Sequence, residues 1–227
     1  MKNISDFEDI IGYKFNNKNY LRLALTHSSY ANEKGNNKEI FNERIEFLGD
    51  AVLEMISSSF LYLNYPDMKE GDLTKLRSRL VCEDALCDAA KRIDLGSYLY
   101  LGHGEEVTNG RQRKSILSDA FESVIGAIYL DGGIDNATIF VNTFVLDSVE
   151  EKMYLYDSKT ALQELVQANY DFTVSYEIID TSGPEHDKVF TSVVLFGDKQ
   201  MGQGKGRSKK EAEKNAAYNT IKMIKQS

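Results

Sequence analysis

Apolar residues recur at three- and four-residue spacing over 20–25, 43–63, 72–81, 83–93, 115–130 and 135–149, the period of helices that bury one face. Between these runs stand the breaks Asn64-Tyr65-Pro66-Asp67, Leu101-Gly102-His103-Gly104 and Asp131-Gly132-Gly133. Residues 102–113 form the longest polar insert and are expected to be a surface loop. After residue 157 the texture changes. A short helix over 158–169 precedes an alternating run at 172–178, a β-branched run at 189–196 and a third candidate strand at 199–203. A last helix is expected from 208 to about 225, opened by Ser208 and Glu211 in capping-box spacing. The predicted architecture is α+β: an all-helical part, 1–152, then a small α-β-β-β-α part, 153–227.

Acidic residues interrupt two of the apolar helices. In Glu43-Arg44-Ile45-Glu46-Phe47-Leu48-Gly49-Asp50-Ala51 the carboxylates stand at i, i+3 and i+7, which share one helical face. Asp119 and Glu122, also three apart, sit among Ile116, Leu117, Phe121, Val124, Ile125 and Ile128. Any one of them alone would read as a solvated surface acid. Together they are harder to dismiss, because half-buried carboxylates without a cation pay for desolvation and take up protons. A divalent ion held by oxygen ligands reverses that balance. Such an ion can activate water and neutralise charge on phosphate without a Cys or His nucleophile. His27, His103 and His186 are the only histidines, and none lies in a triad-like arrangement. His27 reads as structural at a helix end, and His103 as a loop residue.

Composition narrows the class. Hydrophobic content of 42%, aromatic content of 11% and two prolines in 227 residues fit globular domains, not a disordered chain. No run approaching a membrane span is expected, nor a signal peptide at the start, so the protein is expected in the cytoplasm. Cys82 and Cys87 lack the second pair that a zinc site needs and read as reduced thiols. The net charge of −8 argues against indiscriminate nucleic-acid binding, but it is unevenly divided. Residues 1–157 carry 17 Lys+Arg against 26 Asp+Glu, whereas residues 158–227 carry 10 against 9. Between 202 and 214, five basic residues (Lys205, Arg207, Lys209, Lys210, Lys214) face two acidic ones. Lys209 and Lys210 would occupy the first turn of a helix, where the macrodipole disfavours cations by about 0.3–1 kcal/mol and a phosphate would repair the mismatch. A solvated lysine cluster is the plainer alternative.

Residues 42–53 resemble the signature segment of the ribonuclease III family, and 115–122 with 126–133 resemble its second acidic segment. Ile11-Gly12-Tyr13-Lys14-Phe15, Ala24-Leu25-Thr26-His27 and the run 70–78 support the match. The C-terminal part resembles a double-stranded RNA-binding domain at Lys159-Thr160-Ala161-Leu162-Gln163-Glu164, Gly183-Pro184-Glu185-His186 and Lys209-Lys210-Glu211-Ala212-Glu213-Lys214. The resemblance implies metal ligands at Glu46, Asp50, Asp119 and Glu122, with Asp50 and Glu122 carrying catalysis. It places Glu43 against RNA or its water network, with Glu70 a further candidate. Phe47 would pack into a partner subunit; intrachain core is the alternative that periodicity leaves open. Gln163 and Glu164 would touch one minor groove, His186 the next, and Lys209, Lys210 and Lys214 the intervening phosphates, a layout that reads A-form shape. Tyr176 and Phe190 read as core strand residues. Ser118 stands where the family often has Ala.

The implied activity is a Mg²⁺-dependent endoribonuclease, with Mn²⁺ a possible substitute, working as a homodimer on double-stranded RNA. It would leave 5′-phosphate and 3′-hydroxyl ends with short 3′ overhangs, on ribosomal RNA precursors and some structured messenger and transfer RNAs. No other protein partner and no membrane is implied. Two rivals stand beside it: an RNA-binding protein that has lost cutting, and a hydrolase of small phosphate esters.

Overall fold

The computed structural model describes residues 3–33, 41–147, 149, 158–169, 172–184 and 188–226. The chain divides into two units, Met1–Asp147 and Ser148–Ser227. The expected boundary between 152 and 153 lies outside the described residues.

The first unit is helical: α1 (Ile4–Ile11), α2 (Lys18–Ala24), α3 (Ser28–Glu33), α4 (Glu43–Asn64), α5 (Glu70–Leu80), α6 (Glu83–Arg92), α7 (His103–Val107) and α8 (Lys114–Phe144). Asn3 caps α1 by accepting from the Ser5 amide, and Gly12, at φ 68°, ends it in the left-handed region that glycine tolerates. Glu8, only 2% exposed, holds the next segment: Oε1 accepts the Phe15 amide at 3.0 Å and Oε2 meets Lys18 Nζ at 3.1 Å. From α8, the Asp131 carboxylate accepts the Asn16 and Asn17 amides, each at 2.8 Å, and the Tyr13 hydroxyl at 2.9 Å.

At the centre α4 crosses α8. Phe121, Val124, Ile125, Ala127 and Ile128 are each fully enclosed, so the middle of α8 is packed over most of its circumference and leaves the Glu122 side half-buried. Among the described residues α8 is the one span long and apolar enough to cross a membrane by length and composition alone, and it is so only when the helices on either side of Gly133 are counted together. The expected break at 131–133 is present: two helices meet across a kink at Gly133 within this span. Only Gly133 departs from helical geometry (φ 79°, ψ −178°), and the helix resumes to Phe144. The insert 102–113 is more ordered than expected. It forms α7 and a 3₁₀ turn, Gly110–Gln112, because Arg111 Nη1 donates to the Gly96 and Leu99 carbonyls at 2.7 and 2.9 Å while its Nε donates to Glu106 at 2.9 Å.

The second unit runs α9 (Ser158–Asn169), β1 (Val174–Ser182), β2 (Val189–Phe196), β3 (Lys199–Gly206) and α10 (Lys209–Gln226). The strands form an antiparallel sheet in the order β1-β2-β3. Leu162, Val166, Val194, Phe196, Ala216, Ala217 and Ile221 make its core. Alternate glycines 202, 204 and 206 let β3 approach α10: a β-carbon on Gly204 would stand 2.1 Å from the Ala216 amide nitrogen. Asn215 and Asn219 then donate from α10 to the Lys205 and Gln203 carbonyls at 2.8 and 2.7 Å. β3 is longer than expected because these contacts continue to its end.

Candidate metal centre and nucleic-acid interface

Two glycines set the crossing of α4 and α8. A β-carbon on Gly49 would fall 1.9 Å from the Glu122 carbonyl oxygen, and one on Gly126 would fall 2.4 Å from the Ile45 carbonyl oxygen. Glycine inside a helix costs about 1 kcal/mol relative to alanine. Here it permits backbone-to-backbone contact that brings acidic residues on the two helices within one small volume. A carboxylate oxygen from each of Glu46, Asp119 and Glu122 lies within 4.8 Å of the others, and all three side chains are half-buried.

Burial and mutual repulsion dominate the electrostatics of this cluster. Glu122 is pushed up to about 8, first by burial and then by the charges of Asp50, Glu46, Asp119 and Glu54. Glu46 is pushed up to about 7, by burial and then by Asp119, Glu43 and Asp50. Burial also raises Asp119, opposed by the Ser118 hydroxyl, which lies 3.2 Å from Asp119 Oδ1 and 2.9 Å from the Ser115 carbonyl. Among the described residues no Lys or Arg pairs with Glu46, Asp119 or Glu122. A set of oxygen-only donors that repel one another and lack a cation fits a hard divalent ion.

The structure thus gathers three of the four expected ligands. Asp50 is exposed and stands outside the 4.8 Å group, although its charge acts on both Glu46 and Glu122. Glu43 is exposed in the first turn of α4. Glu70 is exposed at the start of α5, accepts the Thr74 hydroxyl at 3.1 Å, and borders a groove of about 590 Å³ with Tyr62, Leu73 and Arg77. Phe47 is 79% exposed, so it is not core within its own chain; Met55, Tyr62 and Leu63 continue the exposed apolar residues along α4. His27 holds a helix end as expected, while His103 opens α7 instead of lying in a loop. His186 falls outside the described residues.

On the second unit, Gln163 and Glu164 are exposed on α9 while Leu162 and Val166 turn inward. Lys209 and Lys210 are exposed in the first turn of α10, and Lys214 is half-buried. The capping box is present in altered form. Ser208 Oγ accepts the Glu211 amide at 3.2 Å, and Glu211 Oε2 reaches past Ser208 to accept the Arg207 amide at 2.8 Å. Lys159 is engaged internally: Nζ lies 2.7 Å from Glu213 Oε2 and 4.3 Å from the centre of the Tyr176 ring. Burial, assisted by Glu213, pushes the Tyr176 phenol up to about 12, which agrees with a core position.

Gly49 and Gly126 shape the site although their motifs alone assign them no role. The signal was available, since a glycine in mid-helix between large apolar neighbours implies close approach of another backbone. The hydroxyl of Ser118 beside Asp119 could not be read from spacing.

Two family models match the chain: Ribonuclease-III-like over residues 17–149 and double-stranded RNA binding motif over residues 158–224. A curated protein of Oceanobacillus iheyensis, Ribonuclease 3, is 45% identical over 226 residues, covering 99% of each chain. Ribonuclease 3 of Listeria monocytogenes is 42% identical over the same length and coverage. Among solved structures, a nuclease domain of ribonuclease III from Campylobacter jejuni, described by flexibility in its region involved in dimer formation, matches at 39% identity and TM-score 0.59. That match covers 63% of this chain and 96% of that one.

Proposed function

Since this chain belongs to the ribonuclease III family and is an endoribonuclease with a double-stranded RNA-binding domain, we propose that it cuts duplex RNA with Mg²⁺ held between α4 and α8. The observation that carries this reading is the cluster of Glu46, Asp119 and Glu122 at the Gly49–Gly126 crossing, half-buried and without a cationic side chain.

Glu46, Asp119 and Glu122 would hold the ion, with Asp50 joining from the solvent side. Oxygen-only ligation favours Mg²⁺, and Mn²⁺ would substitute. When bound, the ion supplies Lewis-acid polarisation of the phosphoryl oxygen and lowers the pKa of water for attack. The chain's own part is positioning. Glu122, raised further than Glu46 by burial first and by its acidic neighbours second, is the carboxylate whose charge depends most on the ion; with Asp50 it is assigned to catalysis. Glu43 faces the RNA.

The exposed Phe47 supports a homodimer formed through α4, with one site for each strand of the duplex. Gln163, Glu164 and His186 would touch the minor grooves, and Lys209, Lys210 and Lys214 the phosphates between them, so that duplex shape is read rather than sequence. Products would carry 5′-phosphate and 3′-hydroxyl ends with short 3′ overhangs. Ribosomal RNA precursors and some structured messenger and transfer RNAs are the proposed substrates, and the unpaired Cys82 and Cys87 suit a reducing cytoplasm.

The test incubates a long RNA duplex with native protein and with Glu122→Gln, with and without Mg²⁺. Cutting is expected only from native protein with the ion, while the variant still binds the duplex. Equal cutting by both proteins would remove Glu122 from the reaction, and cutting without a divalent ion would remove the metal.

A further inference from the structure

The hydrogen-bond partners of His27 select one tautomer for the neutral ring. Its Nδ1 accepts the Ser29 amide at 3.2 Å and lies 2.8 Å from Ser29 Oγ. That hydroxyl oxygen accepts the Gly102 amide at 2.9 Å, so its own hydrogen is left for Nδ1. With two donors on Nδ1, the neutral imidazole carries its hydrogen on Nε2, at the opposite edge of the ring. Among the described residues Nε2 meets no hydrogen-bond partner, although the side chain is half-buried.

Backbone bonds place this ring beside the acidic cluster. The Asn42 amide donates to the Thr26 carbonyl at 2.9 Å, and the Asn42 carbonyl accepts the Glu46 amide at 2.8 Å, so one residue joins the His27 segment to the turn that carries Glu46. On its other side the His27 amide donates to the Tyr100 carbonyl at 3.1 Å, which fixes the segment against 100–102. A proton added to the imidazole would act on the Asp119 carboxylate, which places the ring near that side chain. An RNA phosphate approaching three carboxylates that pair with no Lys or Arg among the described residues is repelled wherever the ion does not reach it. A hydrogen-bond donor at the edge of the cluster offsets that.

We propose that His27 donates its Nε2 hydrogen to a phosphate oxygen of the RNA strand lying over Glu46, Asp119 and Glu122, holding the backbone in register for the cut, with Ser29 as the positioning residue that fixes the tautomer. The inference rests on the reading of that cluster as the cutting site. It differs from a purely structural role in the edge of the ring that matters. Holding the start of α3 needs only an acceptor where Nδ1 is, which Asn or Ser also provides.

The experiment therefore uses His27→Asn, with His27→Ser as a second variant should the first not fold, and Glu122→Gln beside them. Thermal melts and Mn²⁺ titrations of the RNA-free protein are expected to match native protein for the His27 variants. Single-turnover cleavage of an RNA duplex is expected to fall roughly tenfold or more, the loss typical of a hydrogen bond to a charged group. A duplex with a single methylphosphonate, moved through the positions around the cut, should slow native protein at one position where it slows His27→Asn no further. Cleavage by a folded variant within fivefold of native overturns the proposal. So does a parallel fall in Mn²⁺ affinity, or a methylphosphonate profile identical to native. Glu122→Gln separates the two layers. If it cuts at the native rate the cluster reading fails; if it is inert while His27→Asn cuts normally, only the role of His27 fails.

Discussion

Gly49 on α4 meets the backbone of Glu122 on α8 so closely that a single β-carbon would lie 1.9 Å from the Glu122 carbonyl oxygen. The residue that supplies the deepest acid of the cluster is thus itself the wall against which the facing helix packs. Any atom added at Gly49 displaces Glu122. Gly49→Ala is expected to destabilise the first unit by about 1–3 kcal/mol, as over-packing does, and to weaken Mn²⁺ binding, measured by denaturant melts and calorimetry. Gly71→Ala, where a β-carbon meets nothing within 4 Å on α5, should be neutral or stabilise by up to about 1 kcal/mol.

Protonation of the cluster gives the metal-free protein a characteristic dependence on pH. Glu122 at about 8 and Glu46 at about 7 retain protons in the folded chain that an unfolded chain, with carboxylates near their ordinary 4.5, has already lost. The folded state binds more protons across that window, so stability falls as pH rises. The benefit is fully present below the ordinary carboxylate range and is lost on passing about 8. Melting temperatures of metal-stripped protein should therefore decline from pH 5.5 to 8.5, and saturating Mn²⁺ should remove most of the decline. A flat or rising profile without metal would count against the raised values.

Exposure of Phe47 at 79% places a large aromatic ring in solvent on a helix whose other face is core. With Met55 and Tyr62 also exposed on the same side of α4, this face is expected to be covered by a second copy. Phe47→Glu should shift the protein from dimer to monomer in sedimentation at micromolar concentration while leaving its far-ultraviolet dichroism unchanged. A variant that remains dimeric would move the interface elsewhere.

The lysines at the start of α10 are expected to act on phosphate. Changing Lys209 and Lys210 together to Ala should weaken duplex RNA binding and lower the slope of log affinity against log salt by about 1.4–1.8, since each phosphate contact contributes roughly 0.7–0.9. Gel-shift titrations between about 50 and 200 mM salt, the range over which such contacts are resolved, read both quantities. An unchanged slope would return these residues to the solvated surface.

The helical half and the α-β-β-β-α half are visible in the sequence because each element carries its own period and its own stop signal. Val174–Ser182 and Val189–Phe196 alternate or are β-branched, and α4 repeats apolar residues on one face. Spacing fails where the surroundings override the pattern. The 102–113 insert looks like a loop because Arg111, which organises it, satisfies distant carbonyls at Gly96 and Leu99.

At the site, helical periodicity places Glu43, Glu46 and Asp50 on one face, and Asp119 beside Glu122, but it cannot say which of them converge. That depends on the angle and closeness with which α4 and α8 cross. The close approach that Gly49 and Gly126 allow brings Glu46 onto Asp119 and Glu122 and leaves Asp50 at the rim. The network that fixes His27 joins Ser29 to Gly102, 73 positions along the chain, and leaves no local trace.

Diffraction from Mn²⁺-soaked crystals, measured at the manganese absorption edge, tests the centre of this account most directly. An anomalous peak is expected between α4 and α8, bonded to carboxylate oxygens of Glu46, Asp119 and Glu122 at about 2.0–2.3 Å, as for a small oxygen-ligated dication. A saturated crystal with no peak among those three side chains, or with the ion held elsewhere, would contradict it.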